Sequence, residues 1–220
     1  MSTDNRVRNV PPTRMQLLLF KNKVKLATHG HDLLKEKMDA LIIEFYNVLE
    51  EVKDAQSEAD EVLTKAHEQL GVASFKLGTY KLKEIGFSAP ETMYLHASTR
   101  NIMGVKTPKL SVKKSELPYP FYNAESTSSA LDDTITAFRS YIYSVVVLAE
   151  KIATLQKLAY EINNTKRRVN ALNHIIIPRL KNTARFIDIA LEEEEREQFS
   201  RMKFVKNRLQ GEAEVIEVEL

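Results

Sequence analysis

Apolar residues recur with a seven-residue period through the first third of the chain, and this period constrains the fold more than any other feature. From Leu17 onward, fourteen of the sixteen a and d positions are apolar, with His31 and Gln69 as the exceptions. A globular helix rarely keeps this period for so long, so the pattern predicts a coiled coil. The a positions of this seam include Leu17, Val24, Met38, Phe45, Val52, Ala59 and Ala66.

Local signals mark both ends of this first helix. Thr13 stands three residues before Gln16, the spacing at which the two side chains can cap the start of a helix. Gly78 weakens helix formation where the heptad register fades. We therefore expect an N-terminal tail over residues 1–12 and a coiled-coil helix over residues 13–78.

A second heptad seam runs through the C-terminal part of the chain. Ser129 and Asp132 have the spacing of a helix cap, and thirteen of the sixteen a and d positions that follow are apolar. Lys166 and Asn173 fall at predicted a positions, where polar residues often fix the register of a coiled coil. We expect this helix over residues 129–209. The predicted d positions include Leu148, Leu155 and Ile162.

Two seams in one chain predict an antiparallel pair of helices. Setting residues whose numbers add to about 207 opposite each other places Ala59 against Leu148 and pairs small side chains with large ones, as close packing requires. The expected fold is all-α, a single elongated domain over residues 1–220. Each helix rises about 1.5 Å per residue, so the expected coil is long and narrow.

The region between the helices, residues 79–128, is expected to hold a small amount of β-structure. It lacks helical periodicity, and its β-prone pieces predict a short hairpin with strands near 92–98 and 102–107. Residues 210–220 are expected to form a C-terminal tail.

A proline interrupts the second helix in the stretch RRVNALNHIIIPRL, residues 167–180. Pro178 has no N–H group, and its ring crowds the carbonyl of residue 174, which costs about 3 kcal/mol in a helix interior. We expect a kink at Pro178. A gentle bend without a functional role is the alternative interpretation.

Charge is distributed unevenly along the chain. Residues 1–25 carry six basic groups and one acid, and residues 166–187 carry six basic groups and no acid. Residues 44–68 carry eight acids and two lysines. A single run of charge is usually a solvated face, but segregation over several heptads predicts different partners at different positions along the coil.

The C-terminal seam stops after Leu191, although the sequence stays helix-forming through EEEEREQFSRMKFVKNRL. Glu192 with Arg196 and Glu197 with Arg201 have the i,i+4 spacing of helix-stabilising ion pairs. The apolar residues beyond the seam have no predicted internal partner, so this segment is either a frayed tail or a tip that lies inside another protein. These apolar residues are Phe199, Met202 and Phe204.

The sequence contains no motif for catalysis or cofactor binding. It has no cysteine, which excludes disulfides and thiolate chemistry, and it has neither a phosphate-binding GxxxxGK[ST] loop nor a GxGxxG loop. His31 at a seam position is interpreted as a packing residue rather than a metal ligand. Apolar runs of about ten residues are too short to span a membrane. We expect a non-enzymatic intracellular protein without a cofactor.

Four stretches carry a resemblance to a known family. PPTRM (11–15), HDLLKEKMDAL (31–41), TKRRVNALNHIIIPRL (165–180) and EREQFSRMKFVK (195–206) together resemble the D subunits of the V-type and archaeal A-type rotary ATPases. The resemblance covers nearly the whole chain.

The resemblance implies a central rotor axle, or central stalk, that performs no chemistry and binds no ATP directly. Such an axle enters a hexamer of catalytic A and non-catalytic B subunits and transmits torque to the membrane rotor ring. The F subunit binds its side, and a funnel-shaped subunit links its lower end to the ring. The implied location is the cytoplasmic face of the membrane, as a peripheral part of the complex.

The same resemblance suggests which residues contact the hexamer. A kink at Pro178 would then make the tip eccentric. A static coiled-coil tether or adaptor would share both seams without needing a basic tip, and nucleic-acid binding by the basic segments is a weaker alternative because no recognised module is present. The candidate contacts are Arg8, Arg14, Arg167, Arg168, Arg179, Arg185, Arg196 and Arg201.

Overall fold

Helices dominate the computed structural model, which describes residues 7, 10–90, 93–114, 122–123 and 127–218, without the side chains of residues 114 and 209–218. The predicted all-α fold with two long helices and a small β-hairpin is confirmed. In chain order the elements are α1 (Arg14–Leu77), α2 (Thr79–Phe87), β1 (Met93–Ile102), β2 (Val105–Lys114), α3 (Ser129–Ala171), a π-helical turn (Leu172–Ile176) and α4 (Ile177–Val218).

The helix ends follow from local chemistry. The Gln16 N–H donates to the Thr13 hydroxyl at 3.2 Å, so Thr13 caps α1 as predicted. Gly78 has a φ of 79°, a backbone angle that glycine adopts without strain, and it separates α1 from α2. α3 begins at Ser129, as predicted, but its capping side chain is Ser128 rather than Ser129, because the Ala130 N–H donates to the Ser128 hydroxyl.

Three predictions of secondary structure need correction. Residues 79–87 form helix α2 although their apolar residues lack a helical period. None of the α2 side chains is buried, so the sequence of this helix does not need an apolar face. The strands are longer than predicted and turn at Met103–Gly104, where both residues have positive φ. At the C-terminus, α4 continues to Val218, beyond the predicted end at residue 209.

The contacts divide the chain into two compact units, Met1–Lys37 with Thr165–Leu220 and Met38–Asn164. The single domain over residues 1–220 therefore stays a prediction, as does the pairing of Ala59 with Leu148.

The second unit, Met38–Asn164, has a core between α1 and α3. Glu51 pairs with Lys151 at 3.6 Å, and further along α1 the His67 ring meets the Phe138 ring, so the two helices are antiparallel. The β-hairpin joins this core through Val105. The core cluster consists of Leu41, Val48, Val52, Val105 and Leu158, with Phe45, Leu148, Leu155 and Ile162 packed against it, while Ala59 is also buried.

The α1 seam agrees with the burial pattern, since every predicted a and d position is buried or half-buried. The α3 seam is displaced. Its predicted d positions are half-buried or buried, but the residues one before the predicted a positions form the seam. Leu158 is fully buried whereas Ala159 is exposed, and Thr165 is buried whereas Lys166 is exposed. Lys166 therefore does not fix the register.

The first unit, Met1–Lys37 with Thr165–Leu220, has its own core. Phe20 of α1 packs with Ala184 and Ile187 of α4, and all three are buried. Residues of the N-terminal tail join this core. The half-buried side chains around it are Val7, Val10, Leu17, Leu180 and Leu191.

Candidate functional site

The basic segment of residues 166–187 contains a change in helix type next to its proline. The Ile177 N–H donates to the Leu172 carbonyl, five residues back, which is the bond of a π-helix. We expect the wider turn to relieve the crowding of the Pro178 ring against the carbonyl four residues back. Pro178 is the second residue of α4. Proline is tolerated in the first turn of a helix because no N–H is required there.

The π turn inserts one extra residue between two stretches of seam. Thr165 and Val169 are buried before the turn and Leu172 is half-buried, and the next buried residue is Ile177. Leu172 and Ile177 are five positions apart, whereas an uninterrupted helix would bury residue 176. Ile176, a predicted d position, is instead 41% exposed.

Asn173, the polar residue predicted at an a position, is exposed with the other residues of the turn between Leu172 and Ile177. The prediction that Asn173 fixes the register within the seam was wrong. The π turn explains the difference, because it rotates residues 173–176 out of the interface between the helices.

The candidate arginines of the basic segment lie on the helix surface beside the seam. Arg167 and Arg168 are both exposed, between Thr165 and Val169, which are buried. Arg179 and Arg185 are exposed on α4. Within the described part of the chain, none of these four guanidinium groups forms an ion pair.

Two of the candidate arginines nearer the helix ends form ion pairs. The Arg14 guanidinium pairs with the Glu195 carboxylate at 2.6 Å, and the Arg201 guanidinium pairs with Glu197 one turn away. Of the two predicted i,i+4 pairs, only Glu197 with Arg201 forms; Arg196 is exposed and has no acidic partner among the described residues. Arg8 lies outside the described residues.

Val7 and Val10 of the N-terminal tail contact the core of the first unit. The Val7 N–H donates to the Thr183 hydroxyl at 3.0 Å, and that hydroxyl donates to the Arg179 carbonyl at 2.8 Å. Thr183 is almost fully buried, and the Val7 and Val10 side chains cover the cluster around Phe20. We call Val7 and Val10 the N-terminal strap.

Residues 199–204 of α4 include exposed apolar side chains that lack a partner among the described residues, as the sequence predicts. Phe199, Met202 and Phe204 are each about two-thirds exposed. The strap contacts α4 at Thr183 and not near these residues. This tip therefore presents large apolar side chains without a core of its own.

Sequence reasoning missed two features of this site. The π turn has a faint signal in the run of three isoleucines before Pro178. Ile176 continues the heptad register that precedes it and Ile177 fits a register shifted by one residue, so an apolar side chain is available in both. The strap has a weaker signal, the valines at 7 and 10 in a tail whose remaining residues before Pro11, apart from Met1, are polar.

The described residues contain no group of three or more His, Asp and Glu side chains placed to hold a metal ion. Among the helices searched, none is both long enough and apolar enough to cross a membrane.

Comparison with known proteins places the chain in a family. A family model described as the D subunit of ATP synthase matches residues 16–207. A protein named as the D subunit of A-type ATP synthase, from Pyrococcus furiosus, is 44% identical over 210 residues, which cover 93% of this chain and 97% of that protein.

Two further relatives carry the same name. The protein from Thermococcus sibiricus is 43% identical, with 95% of this chain and 99% of that protein covered. The protein from Methanopyrus kandleri is 39% identical, with 94% and 90% covered. The match spans both long helices and the region between them, and the chain belongs to the family of ATP synthase D subunits.

Proposed function

We propose that this chain is the central stalk, or rotor shaft, of a V-type or A-type ATPase or ATP synthase. It transmits torque between a hexamer of catalytic A and non-catalytic B subunits and the membrane rotor ring. It does no chemistry itself and binds no ATP. Family membership and the shared name of its relatives support this role.

The observation that carries the proposal is the set of exposed arginines beside the seam. Arg167, Arg168, Arg179 and Arg185 make no ion pair with the described residues, and the segment around them contains no acid. A shaft that turns must exchange contacts many times, and exposed charges form individually weak ones of about 0–1 kcal/mol. Unpaired arginines meet that requirement, because long side chains can pass from one acidic loop to the next.

The apolar tip supports insertion into a partner. Phe199, Met202 and Phe204 remain exposed on a helix that continues past the core of the first unit. Large exposed apolar side chains of this kind mark contact surfaces. The hexamer bore is the partner we assign to the tip.

The remaining partners follow from the same role. The F subunit is assigned to the side of the coil, and the funnel-shaped subunit to the end that faces the rotor ring. The chain is then a peripheral component on the cytoplasmic face of the membrane. No contact with nucleic acid is part of this assignment.

Covalent trapping distinguishes a shaft from a static tether. The chain contains no cysteine, so Arg201→Cys introduces one thiol. In a complex rebuilt from the chain and an A/B hexamer with a cysteine on its inner wall, disulfide formation should stop ATP hydrolysis, and reductant should restore it.

The same complex without the wall cysteine is the control and should hydrolyse ATP under both conditions. Hydrolysis and ion transport that continue at full rate in the cross-linked complex would show that the chain is a static tether or adaptor.

A further inference from the structure

The β-hairpin has two unlike edges. In the turn at Met103–Gly104, Ile102 and Val105 face each other and form the hydrogen-bonded pair that closes it. Hydrogen-bonded and non-hydrogen-bonded pairs alternate from there. The N–H and C=O groups of every second residue of β1 therefore point away from β2. These outward residues are Leu95, Ala97, Thr99 and Asn101.

The outer edge of β2 is blocked at its centre. Pro108 faces Thr99, at a position whose backbone nitrogen points away from β1. Proline has no N–H, so this position cannot donate a hydrogen bond to a further strand. Leu110 faces Ala97, and its outward N–H donates to the Glu150 carboxylate of α3 at 2.8 Å. That bond places the outer edge of β2 against α3, so the β1 edge faces away from it.

The outer edge of β1 is open. Within the described residues the sheet has two strands, and nothing pairs with β1 on its far side. Every residue between Met93 and Ile102 is exposed. β1 contains no proline and no lysine, the residues that usually protect an edge strand from pairing with another chain.

The charge of the hairpin selects the kind of strand that fits. Residues 93–114 contain no Asp or Glu, and they include Arg100, Lys106, Lys109 and Lys113 with exposed side chains. Extended peptides add to an open edge through main-chain hydrogen bonds, and side-chain charge sets the preference.

We propose that the β1 edge binds an extended acidic segment of a partner protein by strand addition. The main chain of Leu95, Ala97, Thr99 and Asn101 supplies the hydrogen bonds, and the hairpin's basic side chains favour acidic residues. This inference goes beyond the proposed function and does not depend on it, since it concerns only the hairpin.

The experiment uses the full-length chain labelled with ¹⁵N and a synthetic peptide of alternating valine and glutamate, eight residues long and capped at both ends. We expect its binding to shift the amide resonances of Leu95, Ala97, Thr99 and Asn101 and to slow their hydrogen exchange. A peptide with alternating N-methylated amides, and one with lysine in place of glutamate, should bind at least about tenfold more weakly.

A matched pair of variants locates the site. Ala97→Pro removes an outward N–H and should weaken binding of the acidic peptide about tenfold, whereas Ala97→Val keeps that N–H and should bind normally. Unchanged exchange of the inward amides of His96 and Ser98 verifies that the hairpin is intact in both variants.

Three outcomes would overturn the proposal. The first is equal binding of the N-methylated peptide, and the second is no binding of the acidic peptide at millimolar concentration. The third is protection of the outward β1 amides before peptide is added, either in the monomer or in a concentration-dependent dimer. That result would assign the edge to the chain itself or to a second copy.

Discussion

Arg14 and Glu195 lie 2.6 Å apart and join the first residue of α1 to α4. One heptad further along α1, Lys21 pairs at 3.4 Å with Asp188, one heptad earlier on α4. Equal steps in opposite directions define an antiparallel pair of helices. The N-terminal basic segment thus pairs with the acids that follow residue 187 and leaves the arginines of residues 166–187 without acidic partners among the described residues.

The Arg14–Glu195 pair should contribute little to stability. The two side chains are 80% and 58% exposed, so water and salt screen their attraction. A double-mutant cycle with Arg14→Ala and Glu195→Ala, measured by urea unfolding, should give a coupling free energy below about 1 kcal/mol. A coupling above about 2 kcal/mol that survives high salt would contradict this.

The seam of α3 makes a second prediction, because Leu158 is fully buried and Ile152 is 38% exposed. Leu158→Ala should lower the free energy of unfolding by about 2–5 kcal/mol, since it leaves a cavity between α1 and α3. Ile152→Ala removes a similar volume at a predicted a position that is 38% exposed, and should cost less than half as much as Leu158→Ala. Equal losses of unfolding free energy in the two variants would support the predicted register, in which Ile152 lies in the seam.

These two residues also show where sequence reasoning reached its limit. In α1, the apolar residues fit one heptad register, and that register is the buried one. In α3, Val145 and Ile152 are apolar but lie beside the seam, with more exposed side chains. Lys151 and Thr165 are polar but lie within the seam, half-buried and buried. Assigning a heptad register by counting apolar residues therefore fails where polar side chains pack in the seam and apolar side chains lie beside it.

The middle region was less predictable for a different reason. α2 buries no side chain, so no hydrophobic period could reveal it. The hairpin turns at Met103–Gly104, and methionine is an unusual residue at the positive φ that this turn requires. The candidate arginines were identified from charge together with the family resemblance, and the structure adds which of them are paired.

The N-terminal strap should depend on the hydroxyl of Thr183. Thr183→Val keeps the side-chain shape but leaves the Val7 N–H without its acceptor, so we expect a loss of about 1 kcal/mol. The Val7 amide should then exchange with solvent faster than in the native chain. Thr183→Ser retains a hydroxyl and should keep the Val7 amide protected. Equal exchange of this amide in all three proteins would show that the hydroxyl does not hold Val7.

Reversing the charge of Arg167 and Arg168 tests the proposed contacts with the hexamer. Both side chains are exposed and unpaired within the described residues, so Arg167→Glu with Arg168→Glu should leave the melting temperature nearly unchanged. In the rebuilt complex the same variant should lower the ion transport achieved per ATP hydrolysed. Replacement of both by lysine keeps the charge and should couple normally. Normal coupling in the glutamate variant would remove these residues from the contact surface.

Pro178 and the π turn before it form a single structural unit, and this makes the effect of removing the proline predictable. In Pro178→Ala, the gain of a backbone donor and the added freedom of the unfolded chain offset each other, so stability should change by less than about 1 kcal/mol. The π turn should remain, because Leu172 and Ile177 hold the seam on either side of it. Ile176 is 41% exposed in the π turn and would be buried in an uninterrupted helix, so maleimide labelling of Ile176→Cys in the variant would verify this.

Deletion of Ile176 removes the extra residue while keeping both stretches of seam in register. With Pro178 present, the deletion restores an ordinary helix around a proline and should cost about 3 kcal/mol. Combined with Pro178→Ala, it should recover most of that loss, as measured by urea unfolding. Equal costs with and without the proline would show that the π turn does not exist to accommodate it.

If the turn also positions the tip in the hexamer, the chain with both changes should fold well yet couple hydrolysis to transport less efficiently. Normal coupling would show that the interruption at Pro178 has no role in rotation.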